Sequence, residues 1–456
     1  MLKLLGKKDV DMLNGPIVKG LLTIALPIMI MNVIQSMFNI IDMTILRNFG
    51  DAGSVGSVGV CSYLTSLVTG LLVGCSAGSN VVVSRFIGRR DKEGANKTVG
   101  TALLFAFLGG VVIALIGIFG ARLFLTWMNC ADELIDNAVL YFRLYFAGVP
   151  ILMVYNFCAA ILRSTGDSRR PMIFLTTGGI LKVIFNFIFV AGFGMSVEGV
   201  AFATIISWST ACVLGLRAIF TNHNEMIKIT PRDIRIHKDV LLDVLHLGIP
   251  AGLQQALYSI ANVVISSAVN TFGADATTGI SIANTFDGIL YQIATAPALA
   301  VMPYVSQNLG AGNLKRAKQA MVRGMMIAAV MAGSIGALSA IFSGPLSSIM
   351  AENSAQIAYS QQKMMIISST YFICGINNIL SETMRGFRRP LIPTVATLIY
   401  MCLFRFAWVW WIFPHVPNLT FLYLVWPIGW ILSIITVVAF LIPTMKNYNW
   451  KKRFIN

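Results

Sequence analysis

The chain has 456 residues, 56% of them hydrophobic and only 12% Asp, Glu, Lys or Arg, with a formal net charge of +15 and a mean hydropathy of +0.76. A soluble protein of this length cannot bury so large an apolar fraction, so the composition places the chain in a membrane. The basic residues are divided among seven separate segments rather than gathered on one face, which argues against a nucleic-acid surface.

A helix needs about twenty mostly apolar residues to cross a hydrocarbon core of about 30 Å. Gly20 to Ile41, Thr98 to Ala121, Leu247 to Ala274 and Gly324 to Ala351 contain no Asp, Glu, Lys or Arg at all. In chain order the predicted spans are 17–47, 54–84, 97–121, 134–162, 171–193 and 198–221, then 239–272, 277–306, 316–342, 357–384, 390–413 and 419–444. The first is too long for a signal-peptide core and lacks a small-residue cleavage site, so it is kept as a span.

Positive charge alternates from one end of the spans to the other. One side carries Lys3, Lys7, Lys8 and Lys19, the cluster from Arg85 to Lys97, and Arg163 with Arg169 and Arg170. It continues with Lys228 to Lys238, Lys315 to Lys318, Arg385 to Arg389, and the tail from Lys446 to Arg453. The opposite turns hold little beyond Arg47 and Arg122. Since positive loops stay on the cytoplasmic side, both termini are expected there and the protein in the plasma membrane.

The polar stretch Thr221 to Lys238 reads as a linker. It divides the chain into an amino-terminal six-helix bundle at 1–221, a cytoplasmic linker at 222–238 and a carboxy-terminal six-helix bundle at 239–456. The halves resemble each other. Ala25-Leu26-Pro27-Ile28 matches Gly248-Ile249-Pro250-Ala251, and Asn48-Phe49-Gly50-Asp51 matches Thr271-Phe272-Gly273-Ala274, both at an offset of 223. Ser84 to Gly88 pairs with Ser306 to Gly310 at 222, and Arg169-Arg170-Pro171 with Arg388-Arg389-Pro390 at 219. With six spans each, the repeats must be parallel, related by an axis along the membrane normal. Pro27 and Pro250 interrupt corresponding spans. A proline frees a backbone carbonyl, so Pro27 is read either as a hinge or as a static kink.

At these residues the chain resembles the multidrug and toxic compound extrusion (MATE) family over essentially its whole length. The resemblance rests on Leu26-Pro27 with Asp42 later in the same span, on the loop Arg163-Ser164-Thr165-Gly166-Asp167-Ser168-Arg169-Arg170-Pro171, and on Gly310-Ala311-Gly312 with basic residues after it. It implies an all-α, V-shaped pair of six-helix bundles exporting organic, often cationic or amphipathic, compounds in exchange for protons or sodium ions. It also makes Asp42 the expected ion-coupling carboxylate, with an interfacial Asp as the plainer reading.

Lys182 and Asn186 lie four residues apart on one face of the fifth span, at depths that could meet Asp42. The family pattern often holds Asn and Asp there, so this chain departs from it. An ammonium beside Asp42 favours the charged carboxylate and repels a sodium ion, which favours a proton as coupling ion. The expected mechanism alternates Asp42 between an ion pair with Lys182 and a protonated state, each suiting a different packing of span 1 around Pro27. The competing reading makes Lys182 a permanent structural bridge. Thr204 falls in the small-residue stretch Gly199 to Thr204 and is either pocket lining or close packing.

In the second half Asp287, Arg405 and Gln255 are the cavity candidates. Asp287 and Arg405 are expected to pair with each other, and Lys182 and Arg405 are taken as the only basic groups clearly inside the membrane. Gln254, Gln255, Asn262 and Asn284 also read as interhelical hydrogen-bond glue, and Glu382 with Arg385 as an interfacial salt bridge. Phe38, Tyr155, Tyr258, Tyr291 and Tyr371 offer aromatic surfaces for a cation. Trp408, Trp410, Trp411, Trp426 and Trp430 read as an interfacial belt.

No metal, cofactor or catalytic site is expected. Seven scattered cysteines form no CxxC pair, and His223, His237, His246 and His415 lack ligand spacing. GxxxxGK[ST] and HExxH are absent, so an enzyme is not expected. A channel lacks a filter-like loop. A lipid-linked substrate flippase of the same broad superfamily is the rival, though it would be expected to carry a more cationic cavity and extra spans. The parallel duplication lets one chain enclose its own pathway, so a working monomer is expected, with small organic substrates and the bilayer as its partners.

Overall fold

In a computed structural model the chain folds into helices, and among the described residues no strand occurs. The described residues are 10–448 apart from 52, 129 and 222–225. His223 and the terminal cations Lys3, Lys7, Lys8, Lys451, Lys452 and Arg453 therefore lie outside the described residues.

Among the described residues twelve helices are long and apolar enough to cross a membrane. They are α1 (Ile17–Phe49), α2 (Ser54–Arg89), α3 (Lys92–Trp127), α4 (Asp132–Ser164), α5 (Arg169–Gly192) and α6 (Val197–Phe220). Then follow α7 (Lys238–Phe272), α8 (Ala274–Gly310), α9 (Leu314–Ile341), α10 (Ser354–Gly386), α11 (Leu391–His415) and α12 (Leu419–Lys446). Each predicted span finds its helix, and most of the helices run a few residues further; polar caps fix some of these ends. Asp91 starts α3 by accepting from the Gly94 amide at 2.9 Å, and Asn313 starts α9 by accepting from that of Arg316 at 3.0 Å.

Two helices carry widened π turns, at Phe187–Gly192 in α5 and at Leu398–Leu403 and Trp408–Ile412 in α11. Such turns shift the side chains that follow and recur at functional sites. Asn186 immediately precedes the first, and Arg405 sits on the short α-helical piece Phe404–Ala407 between the other two.

The chain forms two compact units, one of residues 1–10 and 30–252, the other of 11–29 and 253–456. Packing divides the chain not at the linker but within two helices, α1 after Met29 and α7 after Gly252. Polar bonds fasten outlying segments within each unit. In the first unit the linker is tied to α3: Thr101 Oγ1 donates to Arg235 O at 2.9 Å and Lys228 N donates to Asn96 Oδ1 at 3.1 Å. In the second, Asn308 Nδ2 and Arg316 Nε both donate to Met12 O, at 3.1 and 3.0 Å, fastening the segment before α1 to α8 and α9. Both crossover points fall two residues beyond a proline, Pro27 in α1 and Pro250 in α7.

Within the first unit α4 is the most enclosed helix, packed by α2, α3 and α6. The start of α7 crosses α2 through two small-xxx-small pairs, Gly74 and Gly78 on α2 against Gly248 and Gly252 on α7. A Cβ at Gly248 would come within 2.5 Å of Cys75 O, and one at Gly252 within 2.7 Å of Leu71 O, so the two backbones touch. In the second unit α8 packs chiefly on α9 and α10, and α10 also packs on α12.

Candidate functional site

The first unit brings Asp42, Lys182 and Asn186 together. Asp42 stands on α1 and is 7% exposed, and Asn186 on α5 is fully enclosed. Lys182 forms an ion pair with Asp42 through Nζ and Oδ2, and Asn186 Nδ2 donates to the other carboxylate oxygen, Oδ1, at 2.6 Å. The four-residue spacing on α5 presents ammonium and amide on one face, so a single carboxylate meets both. The helices approach closely because Gly179 on α5 has no side chain: a Cβ there would run into the Phe38 ring on α1.

The amide is only half used. Among the described residues no donor meets the buried Asn186 Oδ1. An amide turned end for end would instead accept from a protonated carboxyl, so this side chain can serve either state of Asp42. Tyr141 on α4 is buried within electrostatic range of the same carboxylate, with Tyr145 one turn further on. Sequence reasoning missed these two, although their spacing of four along α4 was a usable signal. Thr204 is buried but turned to its own helix, donating to Val200 O at 2.8 Å. Tyr155 is likewise engaged, its hydroxyl donating to Pro171 O at 3.0 Å.

The second unit is arranged differently from the expectation. Asp287 does not pair with Arg405. Its Oδ2 lies 2.9 Å from Lys363 Nζ on α10, and Lys363 also bonds Asn284 one turn from Asp287 on α8. The reason is topological: α8 packs chiefly against α9 and α10, so its inward carboxylate meets a cation of α10. Lys363, 3% exposed, is thus an internal cation that the sequence reading left out. Arg405 is 1% exposed, donates from Nη1 to Asn262 Oδ1 at 2.8 Å, and lies over the Trp426 ring at 4.9 Å.

The expected aromatic belt also needs correction. Trp410 and Trp411 are exposed at 64% and 73%, as a lipid-facing or interfacial pair would be, but Trp408 and Trp430 are exposed at only 8% and 3% and belong to the core. Trp426 packs against that core. The widened turns of α11 and the i, i+4 spacing on α12 put these three indoles on inward faces.

Gln254, Asn262 and Asn284 make interhelical bonds, Gln254 to Thr397 at 2.8 Å and to Arg385. Gln255 is half-buried beside Tyr291. Glu382 and Arg385 form an ion pair, and both are buried. Among the described residues no cluster of His, Cys, Asp or Glu could hold a metal ion.

Comparison with known proteins identifies the family. A family model described as MatE matches the chain twice, over residues 27–188 and 250–411, so the two matches begin and end 223 residues apart. The chain is 27% identical over 379 residues to the probable multidrug resistance protein YoeA of Bacillus subtilis, covering 82% of each chain. It is 23% identical over 396 residues to an FAD transporter of Shewanella oneidensis, covering 86% of this chain and 87% of that one.

Among solved structures, it superposes with a TM-score of 0.88 and 22% identity on an outward-facing multidrug resistance MATE transporter of the MOP superfamily, covering 98% of this chain and 99% of the other. A MOP superfamily transporter from Pyrococcus furiosus, described as having a binding pocket of reverse polarity, gives a TM-score of 0.87 at 23% identity, with 97% and 99% covered. The chain is a multi-pass membrane protein of twelve helices in two tandem repeats, and it belongs to the MatE family of transporters.

Proposed function

We propose that this protein is a secondary active antiporter that exports organic, cationic or amphipathic compounds across the plasma membrane, both termini cytoplasmic, in exchange for protons. The observation that carries this reading is the buried Asp42 held between Lys182 and Asn186. A carboxylate inside a span costs on the order of 2.5–3.5 kcal/mol on the insertion scale, and such groups mark ion and proton pathways. Relatives bearing multidrug resistance names support the export of small molecules.

In this mechanism the resting carboxylate is neutralised by Lys182. A proton arriving on Asp42 releases the ammonium, and the Asn186 amide turns to accept the new O–H. Loss of the ion pair changes what holds α1 to α5, and the proline in α1 lets the helix repack. The Lys182 ammonium already occupies one oxygen, so a sodium ion would meet like charge there, which is why a proton is favoured. Exchange follows when the substrate's packing needs the charged form and protons displace it.

The test is efflux of a lipophilic cation from vesicles, with proton and sodium gradients imposed separately. A proton gradient alone should drive it, and Asp42→Asn should abolish the coupling. Efflux that follows sodium only, or that is unchanged in both Asp42→Asn and Lys182→Ala, overturns the reading.

A further inference from the structure

In the first repeat the fifth helix sets a cation, Lys182, against a carboxylate of the first, Asp42. The corresponding helices of the second repeat are α7 and α11, and there Arg405 meets an amide, Asn262. The repeat motifs on both sides of Asp42 match at an offset of 223, which puts Ile265 in its place. The second repeat has therefore kept a buried cation between the same two helices and lost its carboxylate.

The consequence is electrostatic. Arg405 is 1% exposed, and among the described residues no carboxylate stands within ion-pair reach of it. Besides Asn262 it touches Met401 Sδ at 3.8 Å and the Trp426 ring. A guanidinium in such surroundings is costly unless an anion joins it. A second observation points the same way: Arg405 Nε, Tyr258 Oη and Trp408 Nε1 are buried groups able to donate, and none has a hydrogen-bond partner among the described residues. Native interiors rarely leave donors so, and an acceptor-only oxyanion is the chemistry that would satisfy the guanidinium's Nε and its charge together. Lys363 does not supply the balance, since its charge is already matched by Asp287, while its Nζ adds positive potential 5.9 Å from the same Trp426 ring.

We propose that Arg405 binds the carboxylate of a planar aromatic compound, whose ring lies along Trp426. This narrows the amphipathic substrate class toward anions and zwitterions, and it rests on the exporter reading only in calling the ligand cargo.

The experiment is calorimetric titration of the purified full chain in phosphatidylcholine nanodiscs with naphthalene-2-carboxylate, with the neutral naphthalene-2-carboxamide, and with inorganic phosphate. The acid should bind at least about tenfold tighter than the amide, as a charge-assisted contact requires. Arg405→Gln should bring that ratio to about one. Asn262→Asp should do the same while raising the melting temperature, because it hands Arg405 the carboxylate found in the first repeat; lost binding there cannot come from misfolding.

Equal binding of acid and amide to the wild type overturns the proposal, as does a ratio that survives Asn262→Asp. Phosphate binding as tightly as the acid, or loss of acid binding in phosphatidylglycerol discs, would assign Arg405 to an inorganic ion or a lipid headgroup and overturn it too. Proton-driven efflux of a lipophilic cation, read separately, keeps the two readings apart. Intact cation efflux without acid preference sinks only this inference; acid preference without efflux sinks only the exporter.

Discussion

Lys363 Nζ stands 2.9 Å from Asp287 Oδ2, joining α10 to α8 in the interior of the second unit. Both side chains are almost wholly enclosed, so removing one leaves the other as an unmatched buried charge. Lys363→Met should therefore destabilise the protein by about 3–5 kcal/mol, and Asp287→Leu by a similar amount. The double variant should recover most of that loss, since two apolar side chains of like volume replace the pair. Thermal unfolding in detergent across the four proteins measures the coupling, and additive losses would show that the pair is not the source of stability.

Much of this fold was legible in the sequence because membranes impose long apolar runs and sort basic residues by side. Asp42, Lys182 and Asn186 were legible for another reason: two polar groups four apart on an apolar helix must share a face, and few partners lie at their depth. Lys363 was hidden because a lysine in the first turns of a span reads equally well as snorkelling to the headgroups. Trp408, Trp426 and Trp430 misled for a related reason, since an indole near a helix end suits both an interface and a core with a polar neighbour. The partner of Asp287 depended on which helices pack on α8, which no local pattern reveals.

The glycine crossing between α2 and α7 was illegible among 39 glycines, yet it makes a sharp prediction. A Cβ at Gly248 meets the Cys75 carbonyl at 2.5 Å, so the backbones must part to admit it. Gly248→Ala should cost about 1–3 kcal/mol and Gly248→Leu more. Gly59, on the same helix α2 but with nothing within 4 Å of a Cβ, is the control; Gly59→Ala should be neutral or stabilise by up to about 1 kcal/mol. Equal thermal shifts at the two sites would mean the crossing is not tight.

The two populations of tryptophan should also separate on truncation. Trp430 packs against Tyr371 with ring centroids 5.8 Å apart and is 3% exposed, whereas Trp411 is 73% exposed. Trp430→Ala should cost about 3–5 kcal/mol. Trp411→Ala should change unfolding by no more than about 0.5 kcal/mol, as surface positions do. Quenching by a lipid-resident spin label, which should reach Trp411 and spare Trp430, checks the same assignment without a mutation of the core.

Pro27 and Pro250 make the most demanding prediction, because each lies two residues before the point where its helix leaves one compact unit for the other. A proline inside a helix lacks the N–H for the carbonyl four residues earlier and costs about 3 kcal/mol against alanine. Retaining it at both repeat positions is understandable if the lost bond lets α1 and α7 bend where the units exchange them. Pro27→Ala and Pro250→Ala should then straighten their helices, hold or raise the melting temperature, and lower turnover, with the double variant slower than either. A static kink filled by neighbours would give the opposite pattern, a lower melting temperature from disturbed packing with turnover falling only in proportion to folded protein. Measuring unfolding and vesicle transport on the same preparations distinguishes them, since only a hinge separates gain in stability from loss of rate.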